Sequence, residues 1–446
     1  MSFEHPPLLP SRRRLLQSIL AGTLVGAVPL SVARRSLGAQ ASLTRSPKLV
    51  VVELVGGNDG LNTFGRFGDA VYQNARRELA ISPADAVALD GEVMAHPSIT
   101  GIASRYQQGQ VALVESVGDS LNDRSHFSNI ARWRSGLDGS GVSGTGWLGR
   151  YIDRHADGLS AVSVDRARLH HQLRGERELS LALPPNLAAI RVDRSTVAQR
   201  ASAGAFDMLA SSSSGSPLVQ EQMSNARLAF AESSRFDSLN GASLPQSPIE
   251  RSFALAGAIL DFDLGIDIAT LQVGQFDTHS DQIGDSALTG IHADLLGQVS
   301  TGVDLLFAKL SPKTRAETVV LVYSEFGRRV AANNSRGTDH GTANTVMLIG
   351  DAVRGGLYGV PPSLTDLDGR GDLKPRVQFQ QVYASVLEQH FGVDAGPVLR
   401  GQVAAVPNLI GEPPSPTLEE RANRIRGFGE LDPVESLRRR SPDFEE

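Results

Sequence analysis

Residues 318–350 read TVVLVYSEFGRRVAANNSRGTDHGTANTVMLIG, and this stretch decides how the chain folds. Two apolar runs, Val319–Tyr323 and Val346–Ile349, frame a polar loop. Short runs that are apolar throughout are typical of strands buried on both faces of a parallel sheet. Glu325 directly follows the first run, and an Asp-His pair precedes the second. The stretch therefore predicts two core strands with chemically active side chains at their ends.

Further apolar runs occur along the chain, and helical patterns lie between them. Within Ser286–Leu310 and within Gln380–Phe391, apolar residues recur at spacings of three and four, which indicates helices with one buried face. Strands that alternate with helices predict an α/β fold with a large, mostly parallel central sheet flanked by helices. The predicted strands are Lys48–Val55, Val111–Val117, Ile266–Gln275, Thr318–Tyr323 and Thr345–Ile349.

Composition limits the classes of protein that the sequence can encode. The chain has 446 residues, 41% of them hydrophobic, which is enough for a large core in one or two domains. Its formal net charge of −6, without a basic stripe, argues against binding to nucleic acid. It contains no cysteine, so disulfides, thiolate ligands and a cysteine nucleophile are excluded. Any bound metal must be held by carboxylate, imidazole or backbone oxygen.

The N-terminus carries a targeting pattern. Residues 11–17 read SRRRLLQ, which resembles the twin-arginine export motif, and an apolar stretch follows. Ala39-Gln40-Ala41 has the small-x-small form of a cleavage site. We predict that residues 1–41 are a twin-arginine signal peptide, bound by the export machinery and removed to leave a periplasmic or extracellular protein without a membrane span. An uncleaved N-terminal anchor is the alternative.

The mature chain divides by composition into a core, an insertion and a tail. We assign residues 42–412 to one α/β domain. Within it, residues 155–250 contain SSSSGSP at 211–217 and polar helical stretches, which indicates a polar insertion or cap on the sheet. Residues 413–446 are charged and contain prolines, as peripheral or disordered tails do.

Side chains that can carry chemistry lie at the ends of the predicted strands. In an open α/β sheet, ligands bind beyond the carboxyl ends of the strands, so these side chains should meet. Taken singly, each has a commoner explanation, such as an Asp in a turn or a Ser that caps a helix. Their shared edge makes a common site the better hypothesis. The candidates are Asp59 after the first strand, Ser125 after the second, Asp277 and His279 after the third, Glu325 and Arg328 after the fourth, and Asp339 and His340 before the fifth.

Acidic side chains gathered at one edge would repel one another without a cation. Carboxylate and imidazole ligands suit a divalent metal, and its identity stays open among Zn, Mn, Mg and Ca. A metal can lower the pKa of a nucleophile, and a Ser at a helix N-terminus lies where backbone N–H groups favour an anion. The candidate ligands, for one or two ions, are Asp59, Asp277, His279, Glu325, Asp339 and His340.

Six segments of the mature chain read LVVVELVGGNDGLNT, DRSHFSNIARWRSG, GWLGRYID, FDTHSDQ, VVLVYSEFGR and TDHGTANTVMLIG. With these motifs, the whole mature chain resembles the bacterial exported family DUF1501, a domain of unknown function. The family looks like a branch of the alkaline phosphatase–sulfatase superfamily. The resemblance therefore implies an alkaline phosphatase-like fold with a large central sheet between helices. Better-known members of that superfamily use two metals and a Ser, Thr or formylglycine nucleophile.

The resemblance also implies roles at matching positions. Asp59 resembles a metal-binding Asp after the first strand, and Ser125 falls where the nucleophile is expected. Asp277 and His279 resemble a ligand pair, although one residue separates them where the superfamily has three. Phe326 stands where the superfamily often has a His, so we expect one metal site to be weakened or lost.

Two ligand assignments stay open at this stage. The unusual spacing after the third strand leaves His279 and Asp281 as competing ligands. His340 falls where a later His ligand precedes the last core strand, and Asp339 either joins it or orients it.

These assignments predict an exported metal-dependent hydrolase of phosphate or sulfate esters, acting on an anionic small molecule or a polysaccharide ester. Ser125 is the expected nucleophile, with Ser128 as the alternative, and Arg328 or Arg124 would hold the anion. The alternative function is a non-catalytic exported scaffold or binding protein that keeps the fold, which the Phe at position 326 favours. A transferase or isomerase acting on phosphorylated or sulfated polysaccharide is a weaker third hypothesis. The oligomeric state is not determined by the sequence.

Overall fold

The computed structural model describes most of the predicted mature chain. The predicted signal peptide and tail lie outside the described residues, as does the middle of the predicted insertion. The described ranges are 46–121, 123–137, 144–165, 168–177, 179–183, 244–262 and 264–411.

Twelve strands form two sheets within the described ranges. The larger sheet has nine strands, and the smaller one is a three-stranded antiparallel sheet. In chain order the strands are β1 (Lys48–Leu54), β2 (Phe64–Gly65), β3 (Val87–Asp90), β4 (Val93–Ala95), β5 (Val111–Gly118), β6 (Ala161–Ser163), β7 (Ser180–Ala182), β8 (Ile268–Val273), β9 (Thr318–Tyr323), β10 (Asn344–Ile349), β11 (Gly356–Gly359) and β12 (Val377–Gln378).

The large sheet is parallel except at one strand. Its neighbours follow the order β11-β5-β10-β9-β1-β8-β6-β7, and β12 pairs with the end of β5. Only β10, among the described strands of this sheet, runs antiparallel, and it does so to both β5 and β9. The prediction of a large, mostly parallel central sheet is confirmed. Because β10 is reversed, the residues that precede it reach the edge where β1, β5, β8 and β9 end.

Helices cover both faces of the large sheet. None of the helices in the described ranges combines the length and the hydropathy that a membrane crossing requires. In chain order the helices are α1 (Gly60–Thr63), α2 (Ala70–Arg76), α3 (Thr100–Gln107), α4 (His126–Ser135), α5 (Trp147–His155), α6 (Pro248–Asp261), α7 (Ile291–Ala308), α8 (Pro312–Glu317), α9 (Phe379–Ser385) and α10 (Gly396–Leu399).

Successive side chains of the central strands point to opposite faces of the sheet, and each face packs into its own hydrophobic core. In β1, Val50 and Val52 pack in one hydrophobic cluster with residues of α3, α6 and α7. Leu49 and Val51 point to the other face and pack with residues of α4, α5 and α9. Successive side chains of a strand face opposite sides, so a strand covered on both faces must be apolar throughout. This requirement explains why every residue of β1 and β9 is buried.

The five predicted core strands are all present, with ends that differ by two residues at most. Sequence patterns missed the other seven strands, which have two to four residues each and are too short to display a period: β2, β3, β4, β6, β7, β11 and β12. Two of them, β6 and β7, lie in the stretch predicted as an insertion, and they extend the parallel sheet beyond β8. Residues 184–243 of that stretch lie outside the described ranges.

Helix α7 begins later than its apolar pattern predicts. The pattern predicts a start at residue 286, but the helix begins at Ile291. Its N-cap residue, Gly290, has φ = +102°, a conformation that residues with a Cβ rarely adopt. The preceding residues instead form a turn, in which the amide of Gly284 donates to the carbonyl of Thr289 at 2.7 Å.

The first turn of α7 buries an imidazole behind the edge of β1. His292 is 3% exposed, and its Nε2 lies 3.1 Å from Oδ1 of Asn58. Burial lowers the pKa of His292 to about 3, more than the nearby carboxylate of Asp59 raises it. The folded chain therefore holds this ring neutral at pH values where the unfolded chain protonates it.

We expect His292 to make the fold sensitive to acid. The unfolded ring titrates near pH 6.5, so its contribution to stability is complete above that pH and is lost as pH falls toward 3, by at most about 1.4 kcal/mol per pH unit. Urea unfolding measured between pH 7 and pH 4 should show a flatter pH dependence for His292→Gln than for the wild type. The exposed His155, changed to Gln, is the control and should keep the steep dependence. Equal slopes for wild type and His292→Gln would contradict the assignment.

Gly56, the second residue after β1, allows the loops after β1 and β8 to approach closely. Its φ is +119°, and an added Cβ would overlap the backbone nitrogen of Asp277. We expect Gly56→Ala to lower the free energy of unfolding by about 2 kcal/mol or more, since the left-handed conformation alone costs about 1–2 kcal/mol. Gly274→Ala is the matched control, because a Cβ there meets open space. Chemical denaturation of both variants checks this, and similar losses in both would contradict it.

Candidate metal centre

Helix α4 presents two candidate side chains at the carboxyl edge of the sheet. Ser125 is its N-cap residue, and His126 is its first helical residue. The carboxylate of Asp123 accepts from the backbone nitrogen of Ser125 at 2.8 Å and from the hydroxyl of Ser128. Ser128 is thus engaged inside the helix cap, whereas Ser125 is exposed and its side chain makes no capping hydrogen bond.

Three side chains from distant segments meet in front of this helix. Among the described residues, His126, Asp277 and His340 each offer one ligand-type atom, and these atoms lie within 4.8 Å of one another. Nε2 of His340 is 3.0 Å from Oδ1 of Asp277, and Nε2 of His126 is 3.4 Å from Oδ2. The carboxylate of Asp277 is 46% exposed, so the cluster is open to solvent.

A buried carboxylate fixes the orientation of His126. Nδ1 of His126 lies 2.7 Å from Oε1 of Glu325, whose side chain is fully buried. The same oxygen accepts from the backbone nitrogen of Gly56 at 2.9 Å. The hydrogen bond to Glu325 raises the pKa of His126, and burial opposes it. Glu325 was predicted as a ligand; the structure places it behind His126, as a carboxylate that orients this imidazole.

A backbone carbonyl orients His340 in the same way. Nδ1 of His340 lies 2.9 Å from the carbonyl oxygen of Arg124. Since a carbonyl only accepts, this nitrogen carries the proton. Burial lowers the pKa of His340, although Asp277 opposes this, so the neutral ring is favoured. A neutral ring protonated at Nδ1 turns the lone pair of Nε2 toward Asp277.

Arg328 lies behind Asp277 and is 1% exposed. Its Nη2 donates to Oδ1 of Asp277 at 2.7 Å, and its other hydrogen bonds go to backbone carbonyls, including those of Gly57 and Thr338. Burial disfavours the charged carboxylate of Asp277, but Arg328 and His340 outweigh it and lower the pKa of Asp277 to about 2. Arg328 was predicted to hold a substrate anion; in the structure its contacts position the loops and Asp277.

His279 and Asp339 flank the three-residue cluster. Nε2 of His279 lies 3.2 Å from Oδ1 of Asp277 and 2.9 Å from Nε2 of His340. Its Nδ1 lies 3.1 Å from Oδ1 of Asp339. His279, and not the exposed backbone turn at Asp281, therefore provides the side chain next to the cluster. Asp339 contacts Nδ1 of His279, just as Glu325 contacts Nδ1 of His126.

Asp59 lies outside the cluster in a buried ion pair. Its two carboxylate oxygens accept from the guanidinium of Arg76, and one also accepts from Nε2 of Gln282 at 2.7 Å. Both Asp59 and Arg76 have fully buried side chains. Burial raises the pKa of Asp59, but Arg76 and His292 outweigh it, and the net shift is downward. Asp59 was predicted to bind a metal ion; in the structure, the guanidinium of Arg76 supplies the positive charge beside it.

The donor atoms fit a divalent metal ion. Nε2 of His126 is buried and makes no hydrogen bond among the described residues. Nε2 of His340 directs a lone pair at a carboxylate oxygen, which is repulsive without a proton or a cation between them. A metal held by His126, Asp277 and His340, with His279 beside them, would satisfy all of these atoms.

His126 is the site residue that sequence reasoning missed. Its position in the first turn of a helix made packing seem as good an explanation as ligation. The signal was its place directly after Ser125, at the end of the loop that follows a core strand. Only the fold shows that this turn faces the loops that carry Asp277 and His340.

We expect the guanidinium of Arg328, with its several N–H donors, to be required for the stability of the fold. Arg328→Lys keeps the charge but cannot reach carbonyls on separate loops, and it should cost about 3 kcal/mol or more in unfolding free energy. Arg329→Lys is the matched control, since the Arg329 side chain is 38% exposed. Urea denaturation of both variants checks the prediction, which fails if they are equally stable.

Comparison with solved structures finds only distant similarities. Solved structures to which the chain is similar include an alkaline phosphatase superfamily protein from Vibrio parahaemolyticus, with 11% identity, a TM-score of 0.38, and coverage of 84% of this chain and 76% of that chain. The alkaline phosphatase from the Antarctic bacterium TAB5 has 13% identity, a TM-score of 0.32, and coverage of 69% and 92%. The lipoteichoic acid synthase LtaP from Listeria monocytogenes has 8% identity, a TM-score of 0.35, and coverage of 83% and 76%. Sequence identities and TM-scores this low do not allow individual residues of this chain to be matched with residues of those proteins.

Sequence comparison gives the family. No curated protein sequence matches the chain. The family model described as "Protein of unknown function (DUF1501)" matches residues 122–400, which is more than half of the chain. The matched range contains the whole three-residue cluster and its orienting partners. The chain therefore belongs to the DUF1501 family.

Proposed function

We propose that the chain is an exported hydrolase of phosphate or sulfate esters that uses one divalent metal ion. The observation that carries this proposal is the cluster of His126, Asp277 and His340, in which each imidazole is held from behind by a protein acceptor. Ligands fixed in this way are typical of metal sites. The N-terminal sequence pattern supports export.

The donor set narrows the choice of metal. Two imidazoles and one carboxylate suit Zn, Mn or Fe better than Mg or Ca, which prefer oxygen ligands. When bound, the ion would polarise an ester oxygen and stabilise the charge that develops on it. We propose one ion and not two, because Arg76 occupies the carboxylate of Asp59.

Ser125 is the proposed nucleophile. It is exposed at the N-terminus of a ten-residue helix, next to His126, where backbone N–H groups favour an anion. Its Oγ would bond to phosphorus or sulfur as the alcohol oxygen leaves and takes up the hydroxyl proton, and water would then release the acid and restore the hydroxyl. Arg328 would act by positioning Asp277. Arg124 pairs with Asp372 through its guanidinium and orients His340 through its carbonyl.

We expect the purified mature protein to contain about one equivalent of metal per chain. His340→Ala should lose it, and Glu325→Gln should lower metal affinity about 10- to 100-fold because Glu325 orients His126. Elemental mass spectrometry on protein folded in cells measures this. His155→Ala, which removes an exposed imidazole away from the cluster, should keep the metal. A wild type without metal, or a metal-replete His340→Ala variant, would overturn the proposal.

We expect Ser125→Ala to lower kcat on aryl phosphates or aryl sulfates by about 10³-fold or more, as loss of a nucleophile does. Its metal content should be unchanged. Ser128→Ala is the control: it should weaken the helix cap by about 1 kcal/mol and leave most of the turnover. Turnover that survives in Ser125→Ala but not in Ser128→Ala would move the nucleophile to position 128.

One observation favours the second candidate function, a non-catalytic exported binding protein. Phe326 is 2% exposed, and its ring centroid lies 4.9 Å from that of His126 and 4.7 Å from that of His340. An apolar ring thus lies beside the ligands, where the superfamily resemblance implies another one. This function predicts that metal raises the melting temperature while no phosphate or sulfate ester is turned over. Measurable turnover that depends on Ser125 would exclude it.

A further inference from the structure

A cavity lies near the same edge of the sheet, between α4, β8 and the loop that follows β6. Its volume is about 210 Å³, far more than one water molecule needs. Its described lining consists of one apolar residue, Leu169, and a polar set. That set comprises Arg134, Arg168, His170, His171, Arg174 and Gln272.

The lining is strongly basic. Three of the residues are arginines, two are histidines, and no carboxylate is among the described residues that face the cavity. Arg168 is exposed. In a protein whose net charge is −6, a concentration of guanidinium groups around one cavity departs from the average surface. Guanidinium groups bind sulfate and phosphate oxygens through paired N–H donors.

Glu53 holds the guanidinium of Arg134 through two of its three nitrogen atoms. Its Nε and Nη2 donate to the buried carboxylate of Glu53 at 2.9–3.0 Å. Gln272 donates to the same carboxylate at 2.8 Å. Nη1 of Arg134 makes no hydrogen bond to the described residues. Glu53 therefore balances the charge of Arg134 from behind, and Asp165 pairs with His170, another lining residue, at 2.6 Å.

The cavity is separate from the candidate metal centre but joined to it by one rigid element. His126 and Arg134 are eight residues apart on α4, which corresponds to about 12 Å along the helix axis. Both ends of this element are fixed, by Glu325 at His126 and by Glu53 at Arg134. None of the residues that line the cavity belongs to the metal cluster or to its orienting partners.

We propose that this cavity is a second oxyanion-binding site, which takes a sulfate or phosphate group independently of the candidate metal centre. The group has two sources of the same chemistry. It is either a free inorganic anion or an anionic substituent on a larger ligand that also reaches the metal centre. Only the second source rests on the proposed function.

The test is isothermal titration of the mature protein at low, constant ionic strength, with inorganic sulfate, inorganic phosphate and a sulfated oligosaccharide as probes. The exposed Arg168 allows a variant that should fold, and Arg168→Glu should weaken binding about 100-fold. Arg168→Gln should weaken it about tenfold, as loss of a charge-assisted hydrogen bond does. The control variant Arg376→Gln removes a charge from a surface arginine that pairs with Asp366, outside the cavity.

A fifth protein, His340→Ala, separates this proposal from the proposed function. Binding that is lost in Arg168→Glu and kept in both His340→Ala and Arg376→Gln supports the cavity site, whether or not the chain is a hydrolase. Binding of the oligosaccharide alone, with the same dependence on Arg168, identifies a substituent of a larger ligand as the source. Binding that is lost only in His340→Ala places the anion at the metal centre and overturns the proposal. Equal binding in all proteins, or none of any probe to the wild type, also overturns it.

Discussion

One buried guanidinium joins the loops on which the candidate centre depends. Arg328 donates to the carbonyl of Gly57 after β1, to that of Phe276 after β8 and to that of Thr338 before β10, and it also holds Asp277. A buried charge without partners is costly, so these loops and the arginine stabilise one another. Asp277 reaches the cluster from a loop that this single side chain fixes.

The direction of β10 brings one of the three cluster residues into place, and hydrogen bonds to Nδ1 of the two imidazoles fix their orientation. Reversal of β10 brings His340 to the edge at which β8 delivers Asp277, and α4 adds His126 from the loop after β5. Each imidazole is held through its far nitrogen, by Glu325 or by a backbone carbonyl. The orientation of both imidazoles is therefore set by partners that lie outside the cluster. This explains why an acidic residue near the site, such as Glu325, need not belong to the cluster itself.

Particular residues mark the limit of sequence-based prediction for this site. Glu325 and Asp59 both follow core strands, and both are acidic, yet Glu325 supports an imidazole and Asp59 binds Arg76. A pattern of residue types cannot distinguish these roles, because the partner of each carboxylate is distant in sequence: Arg76 lies on α2, and His126 on α4. Sequence reasoning missed His126 for the same reason, because its partners Asp277, Glu325 and His340 are all distant from it in the sequence.

The sequence by itself determined the five core strands of the sheet, because a strand covered on both faces must be apolar throughout and an apolar run is visible in the sequence alone. It also determined that acids, imidazoles and a serine gather at one edge, since their positions relative to strand ends are local. Only the tertiary structure decided which of these side chains form the cluster, which orient an imidazole from behind, as Glu325 does, and which pair with a buried arginine, as Asp59 does. Those outcomes depend on which side chains from distant segments satisfy each buried group, and hydrogen-bond partners of that kind are fixed by packing in three dimensions.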